Sequence, residues 1–144
     1  MESRGSGRPI DVAPGRLLAG LGVEQLPVIL LSLVGIADDR GERAMSGEFV
    51  DAVIDDVAEI QVLGAGFRPV FLLDTPAFTR ARSYGYLAEL VTPRAAWPGE
   101  VAGWSEYVGA RVASMRTTYG VSAVITVGSD GVDDVARGML RSFG

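Results

Sequence analysis

Pro27-Val28-Ile29-Leu30-Leu31-Ser32-Leu33-Val34 is the stretch on which the fold turns. Seven consecutive residues after the proline are apolar apart from Ser32, without the alternation of a strand that has one wet face. A run of this length, rich in Val, Ile and Leu, is what a strand covered on both faces requires. The same pattern recurs at Pro69-Val70-Phe71-Leu72-Leu73, which ends in Asp74-Thr75-Pro76, and again from Val121 to Val127. Tyr86 to Val91 reads as a weaker fourth strand.

Between these runs the apolar period changes from continuous to helical. Phe49, Val50, Val53, Ile54, Val57 and Ile60 recur at three and four residues, opened by Ser46 as N-cap and stopped by Gly64 and Gly66. A short helix or turn covers 77–84. Trp104, Tyr107, Val108, Val112, Met115 and Tyr119 form a second stripe closed by Gly120. After the third strong strand, Ser129 or Asp130 caps a last helix whose buried face is read as Val132, Val135, Ala136, Met139, Leu140 and Phe143. Strands alternating with helices give right-handed crossovers and parallel pairing. The expected fold is α/β: a three-layer α/β/α sandwich on a small, mostly parallel, four-stranded sheet, Rossmann-like in architecture.

Working outward, residues 1–15 are rich in Gly, Ser, Arg and Pro and read as a disordered tail, leaving 16–144 as a single Rossmann-like domain. With 144 residues, 48% of them hydrophobic, the chain suits one core. The net charge of −5 argues against nucleic acid and anionic lipid as partners. No apolar run reaches membrane-spanning length and the amino terminus lacks a signal-peptide pattern, so the expected location is cytoplasmic.

The missing residue types narrow the chemistry further. The chain has no His, Cys, Lys or Asn; all thirteen basic residues are Arg. This excludes a serine–histidine triad, thiolate catalysis, Schiff-base chemistry, a P-loop lysine and the usual zinc ligands. Any reaction must use Asp, Glu, Ser, Thr, Tyr, Arg and backbone groups, and whether the chain is an enzyme at all stays open. No cofactor is implied.

In open parallel sheets ligands gather beyond the carboxyl ends of the strands. Three loops meet that rule. In the first, Asp38 and Asp39 with Glu42 can hold a hard cation or sugar hydroxyls, or simply form a solvated loop paired with Arg40 and Arg43. In the second, Asp74 stands directly after an apolar strand, placed as a catalytic base or a hydroxyl acceptor, with Thr75 beside it and Arg80 and Arg82 as anion holders. The plain alternative for Asp74 is an Asx turn. The third is Gly128-Ser129-Asp130-Gly131, whose N–H groups can hold an anion or merely cap a turn. The acidic ridge Asp51, Asp55, Asp56 and Glu59 has no i,i+4 basic partner and reads as a solvated face.

From Phe67 to Gly131 the chain resembles one Rossmann-like half of a GT-B type glycosyltransferase. The resemblance is carried by Arg68 to Pro76, Arg82-Ser83-Tyr84-Gly85-Tyr86-Leu87-Ala88-Glu89-Leu90, and Val121 to Gly128. It lacks the family's glycine-rich first loop and covers less than half the chain. It implies a binding or accessory module that acts with a partner enzyme on a nucleotide or sugar ligand. The alternatives are a small carboxylate-based enzyme for a phosphorylated or glycosylated molecule, and a structural homo-oligomer. A homodimer is expected, with Trp97 and Tyr84 as surface candidates.

Overall fold

The computed structural model describes residues 26–34, 36–38, 41–43, 47–64, 66–128 and 130–143. The expected tail, Ser46, Asp39 and Ser129 lie outside them. The elements in chain order are strands β1 (Val28–Leu33), β2 (Ile36–Asp38) and β3 (Gly41–Arg43), helix α1 (Gly47–Gly64), β4 (Arg68–Leu73), α2 (Phe78–Ser83), β5 (Leu87–Leu90), a 3-10 turn (Arg94–Ala96), α3 (Val101–Tyr119), β6 (Val121–Thr126) and α4 (Asp134–Arg141).

Four strands form one sheet in the order β5-β4-β1-β6, and every pair in it is parallel. The central strand is the stretch that opens the sequence reading, and all six of its residues are buried. Its odd and even side chains go to different cores. Ile29, Leu31 and Leu33 join Val53, Ile54, Val57, Phe71, Ile125 and Leu140 under α1 and α4. Val28 and Leu30 join Val70, Leu72, Trp104 and Met115 under α3. This division is why β1 shows no polar alternation: both of its faces are interior. The structure is therefore an α/β three-layer sandwich with a Rossmann-like parallel sheet. No helix among the described residues is long and apolar enough to cross a membrane.

Pro69 sits inside β4 without cost to the ladder. Arg68 N donates to Pro27 O, so alternate residues from 68 onward face β1 and Pro69 faces the β5 side. Pairing with β5 begins one residue later, at Val70, so the missing N–H faces no partner.

Three sequence expectations change. The loop after β1 contains a short antiparallel hairpin, β2 with β3, apart from the main sheet. Helix α4 is capped by Asp133, whose carboxylate accepts from Ala136 N at 2.8 Å, and not by Ser129 or Asp130. Val132 just before α4 and Ala136 and Leu140 on it are buried, but Val135 is 72% and Met139 42% exposed. The apolar stripe is wider than the face the sheet covers.

Candidate functional site at the carboxyl edge

The chain leaves β1 for β4 and β5 on one side and returns to β6 on the other, so the order of strands reverses between β1 and β6. The helices that follow β4 and β5 lie on opposite faces, Ala81 of α2 in the core under α1 and α4 and Trp104 and Met115 of α3 in the other. The loops leaving these two strands therefore diverge at the carboxyl edge, where such sheets collect ligands. Four loops reach this edge: the β2–β3 hairpin, 74–77, 91–100 and 127–133.

Asp74 follows the last residue of β4 and is 3% exposed. It is the sole buried acid among the described residues, the other buried polar side chains being Ser32 and Gln61. Removing a carboxylate from water is unfavourable without compensating contacts, so its burial at this edge is a designed feature of the loop. The turn behind it is tight: Ala77 N donates to Thr75 O at 2.7 Å across Pro76. Val91 N donates to Leu73 O at 2.8 Å, which brings the chain from Thr92 onward out of the sheet beside Asp74.

That next segment is held by aromatic side chains that sequence reading placed only as core. Trp104 Nε1 donates to Thr92 O, and Thr92 N donates to the Tyr107 hydroxyl, both at 2.9 Å. The Thr92 side-chain hydroxyl, 3.4 Å from the Tyr107 hydroxyl, and then the Thr92 N–H favour the phenolate and lower the Tyr107 hydroxyl pKa. Trp97 stacks on Tyr107 with centroids 4.9 Å apart and planes 24° from parallel. Arg94, Ala95, Trp97, Gly99 and Val101 line a pocket of about 200 Å³ there. A Cβ on Gly99 would stand 3.2 Å from Trp97 Nε1, close enough to push the indole by a few tenths of an ångström. The sequence signal for this pocket was Trp97-Pro98-Gly99, an aromatic in a turn that ends a strand connection.

The remaining candidates disperse. Asp38 ends β2, paired in register with Gly41. Thr75 is half-buried beside Asp74. Arg80 does not serve Asp74: its guanidinium donates to Asp55 and lies 3.8 Å from Asp51, both on α1. Tyr84 also donates to Asp55, at 2.6 Å. Hydrogen bonding from Arg80, then from Tyr84, holds the Asp55 carboxyl below the usual range, while the same contact raises the Tyr84 hydroxyl. Arg82 is exposed, with its guanidinium 5.4 Å from the centre of the Phe78 ring. The acidic ridge thus has basic partners from other elements, since Arg137 of α4 lies 3.9 Å from Asp56.

Gly128 and Gly131 form a one-pair antiparallel bridge, with Gly131 N donating to Gly128 O at 3.0 Å. Asp130 is exposed at the tip. Gly131 takes φ +70° and lies against Val53 and Phe49, so this turn rests on the first half of α1. Helix α4 starts three residues later, which separates the turn from the helix N–H groups once read as its anion holders. Two sequence candidates, Asp74 and Thr75, stay together at the end of β4, and Arg94 and Trp97 stand in the loop that follows β5.

Comparisons with protein-family models, with curated proteins and with solved structures return no match to this chain.

Proposed function

We propose that this domain is a Rossmann-like binding module that holds a hydroxyl-rich small molecule, a nucleotide or sugar, at the carboxyl edge of its sheet. The observation that carries the reading is Asp74, a carboxylate 3% exposed at the end of a central strand, where a parallel sheet collects ligands. A carboxylate there accepts hydrogen bonds from vicinal hydroxyls, and the loop after β5 holds a pocket lined by Arg94, Ala95, Trp97, Gly99 and Val101. The glycosyltransferase-like order of segments makes nucleotide sugars the first ligands to test, with the module working beside a partner enzyme.

Binding is favoured over catalysis because the two arginines expected as anion holders do not converge: Arg80 is engaged by Asp55, Arg82 is exposed beside Phe78, and the chain has no His, Cys or Lys.

The test is Asp74→Asn, with Asp55→Asn as control, assayed by thermal shift and calorimetry against nucleotides and nucleotide sugars. A ligand at a hundred times its Kd stabilises the wild type by about 2.7 kcal/mol. Asp74→Asn should fold, at a cost of about 1 kcal/mol, and lose that ligand-induced shift, while Asp55→Asn keeps it. Equal ligand shifts in both variants would remove Asp74 from the site.

A further inference from the structure

The two outer edges of the sheet are finished differently. β5 is only four residues long, and its edge is blocked: Arg111 Nη1 donates to Leu90 O at 3.0 Å. Leu90 O is an outward-facing acceptor, because Val91 N, one residue on, points inward to Leu73 O. Arg111 and Tyr119 also hold Glu89 of the same strand. A short strand carrying a charge, its outer carbonyl capped by arginine, is a protected edge.

β6 has neither the charge nor the arginine cap, and its one irregularity is a register break at its amino end, between Val121 and Ala123. It runs six residues, Val121-Ser122-Ala123-Val124-Ile125-Thr126, without charge, proline or glycine. Among the described residues no strand pairs with its outer side. Val127 N donates inward to Ser32 O at 3.0 Å. By alternation Val124 and Thr126 therefore turn both N–H and C=O outward. Ser122 stands at a break in the register with β1, so the regular outward set is Val124 and Thr126. A two-fold axis at Ile125 would pair Val124 with Thr126 of a second copy, antiparallel, and Thr126 with its Val124.

The wall beside this edge is apolar as well. Arg137 of α4 reaches Asp56 of α1, which fixes the flank of α4 that faces α1. Val135 and Met139, each 200° around the helix from Arg137, lie on the opposite flank, over the β6 side. They are two of the seven large apolar side chains exposed among the described residues, the others being Val62, Leu63, Leu87, Leu90 and Val101. No charge on that flank opposes a second copy brought up by the two-fold axis.

The geometry points to a homodimer formed through β6, joining two four-stranded sheets into one of eight strands, with Val135 and Met139 of the two α4 helices packed across the axis. The size is adequate. Six residues at about 3.3 Å give a wall roughly 20 Å long. Three layers spaced by about 10 Å make it roughly 30 Å high, or roughly 600 Å² in projection, close to the scale of the about 800 Å² each partner contributes to a standard interface. Trp97 and Tyr84, the surface candidates suggested by sequence, are committed internally to Tyr107 and Asp55. This inference stands apart from the ligand reading, since it concerns the side of the sheet and not its carboxyl end.

Light scattering of the full chain tests it, on the wild type, Thr126→Pro, Val135→Glu and Leu63→Glu. Proline at 126 removes one outward N–H and is tolerated at a free edge. Glutamate at 135 places like charges across the axis. Leu63, 80% exposed at the far end of α1, is the control for a generally sticky surface. The wild type and Leu63→Glu should weigh twice 15.2 kDa. Thr126→Pro and Val135→Glu should raise the dimer Kd at least tenfold, with wild-type circular dichroism; should one misfold, the other decides. A wild type of 15.2 kDa at every concentration would overturn the proposal. So would a dimer that survives both edge substitutions, or one that Leu63→Glu dissociates.

Discussion

Single side chains here act mostly as latches, and the Asp55 latch sets a pH range. Arg80 and Tyr84 both donate to its carboxylate, so protonating Asp55 loses two charge-assisted bonds between α1 and α2. Its folded pKa lies below its unfolded one, so the stability it contributes is present above the unfolded value and lost as pH falls through the folded value, below about 4. Tyr84, Tyr86 and Tyr119 are shifted upward, Tyr84 and Tyr119 first by bonds to carboxylates and Tyr86 by burial. Their contribution is complete below the unfolded value, about 10, and lost as pH rises through the folded values. The melting temperature should accordingly show a plateau that falls away below about pH 4 and above about pH 10. In Asp55→Asn the acid limb should be shallower, and an unchanged acid limb would assign that loss to other carboxylates.

At the scale of elements, the ends of the helices are decided by local chemistry. Gly120 closes α3 in the left-handed conformation, φ +64° and ψ +46°, with its N–H returned to Arg116 O. Asp133 opens α4, and Asp133→Ala should lower stability by about 1 kcal/mol, read as a shifted denaturation midpoint with an unchanged m-value. Asp130→Ala, at the exposed turn once read as the cap, should leave that midpoint where it is. The difference shows how caps are read from sequence. Ser129, Asp130 and Asp133 are all competent acceptors ahead of an apolar run. The bridge between Gly128 and Gly131 places Asp130 on a turn and leaves the cap to Asp133. Periodicity placed the apolar stripe of α4 but could not give its buried width, because that is set by how far β6 extends beneath it.

For the whole molecule, the sheet is the source of stability. Leu31 is completely buried in the central strand, and Leu31→Ala should cost about 2–5 kcal/mol, whereas Leu63→Ala, on a side chain 80% exposed, should cost under about 0.5 kcal/mol. Chemical denaturation monitored by circular dichroism would check both.

What the sequence determined by itself is the four strands of the main sheet, the helices between them and the parallel arrangement of that sheet. A continuous apolar run such as Val28–Val34 is physically unsuited to a strand with a wet face, and helical spacing between such runs leaves little but a two-sided parallel sheet. The position of Asp74 at a strand's carboxyl end follows from the same pattern, being a local fact of chain order. Tertiary structure alone decided which side chains meet. Arg80 is six residues from Asp74 along the chain, yet α2 turns it to Asp55, twenty-five residues away, because packing against α1 fixes its direction. The contrast between a capped β5 edge and an open β6 edge is likewise invisible in sequence. Both are short uncapped runs as written, and only the strand order, with Arg111 folded back on Leu90 O, makes one edge closed and the other available.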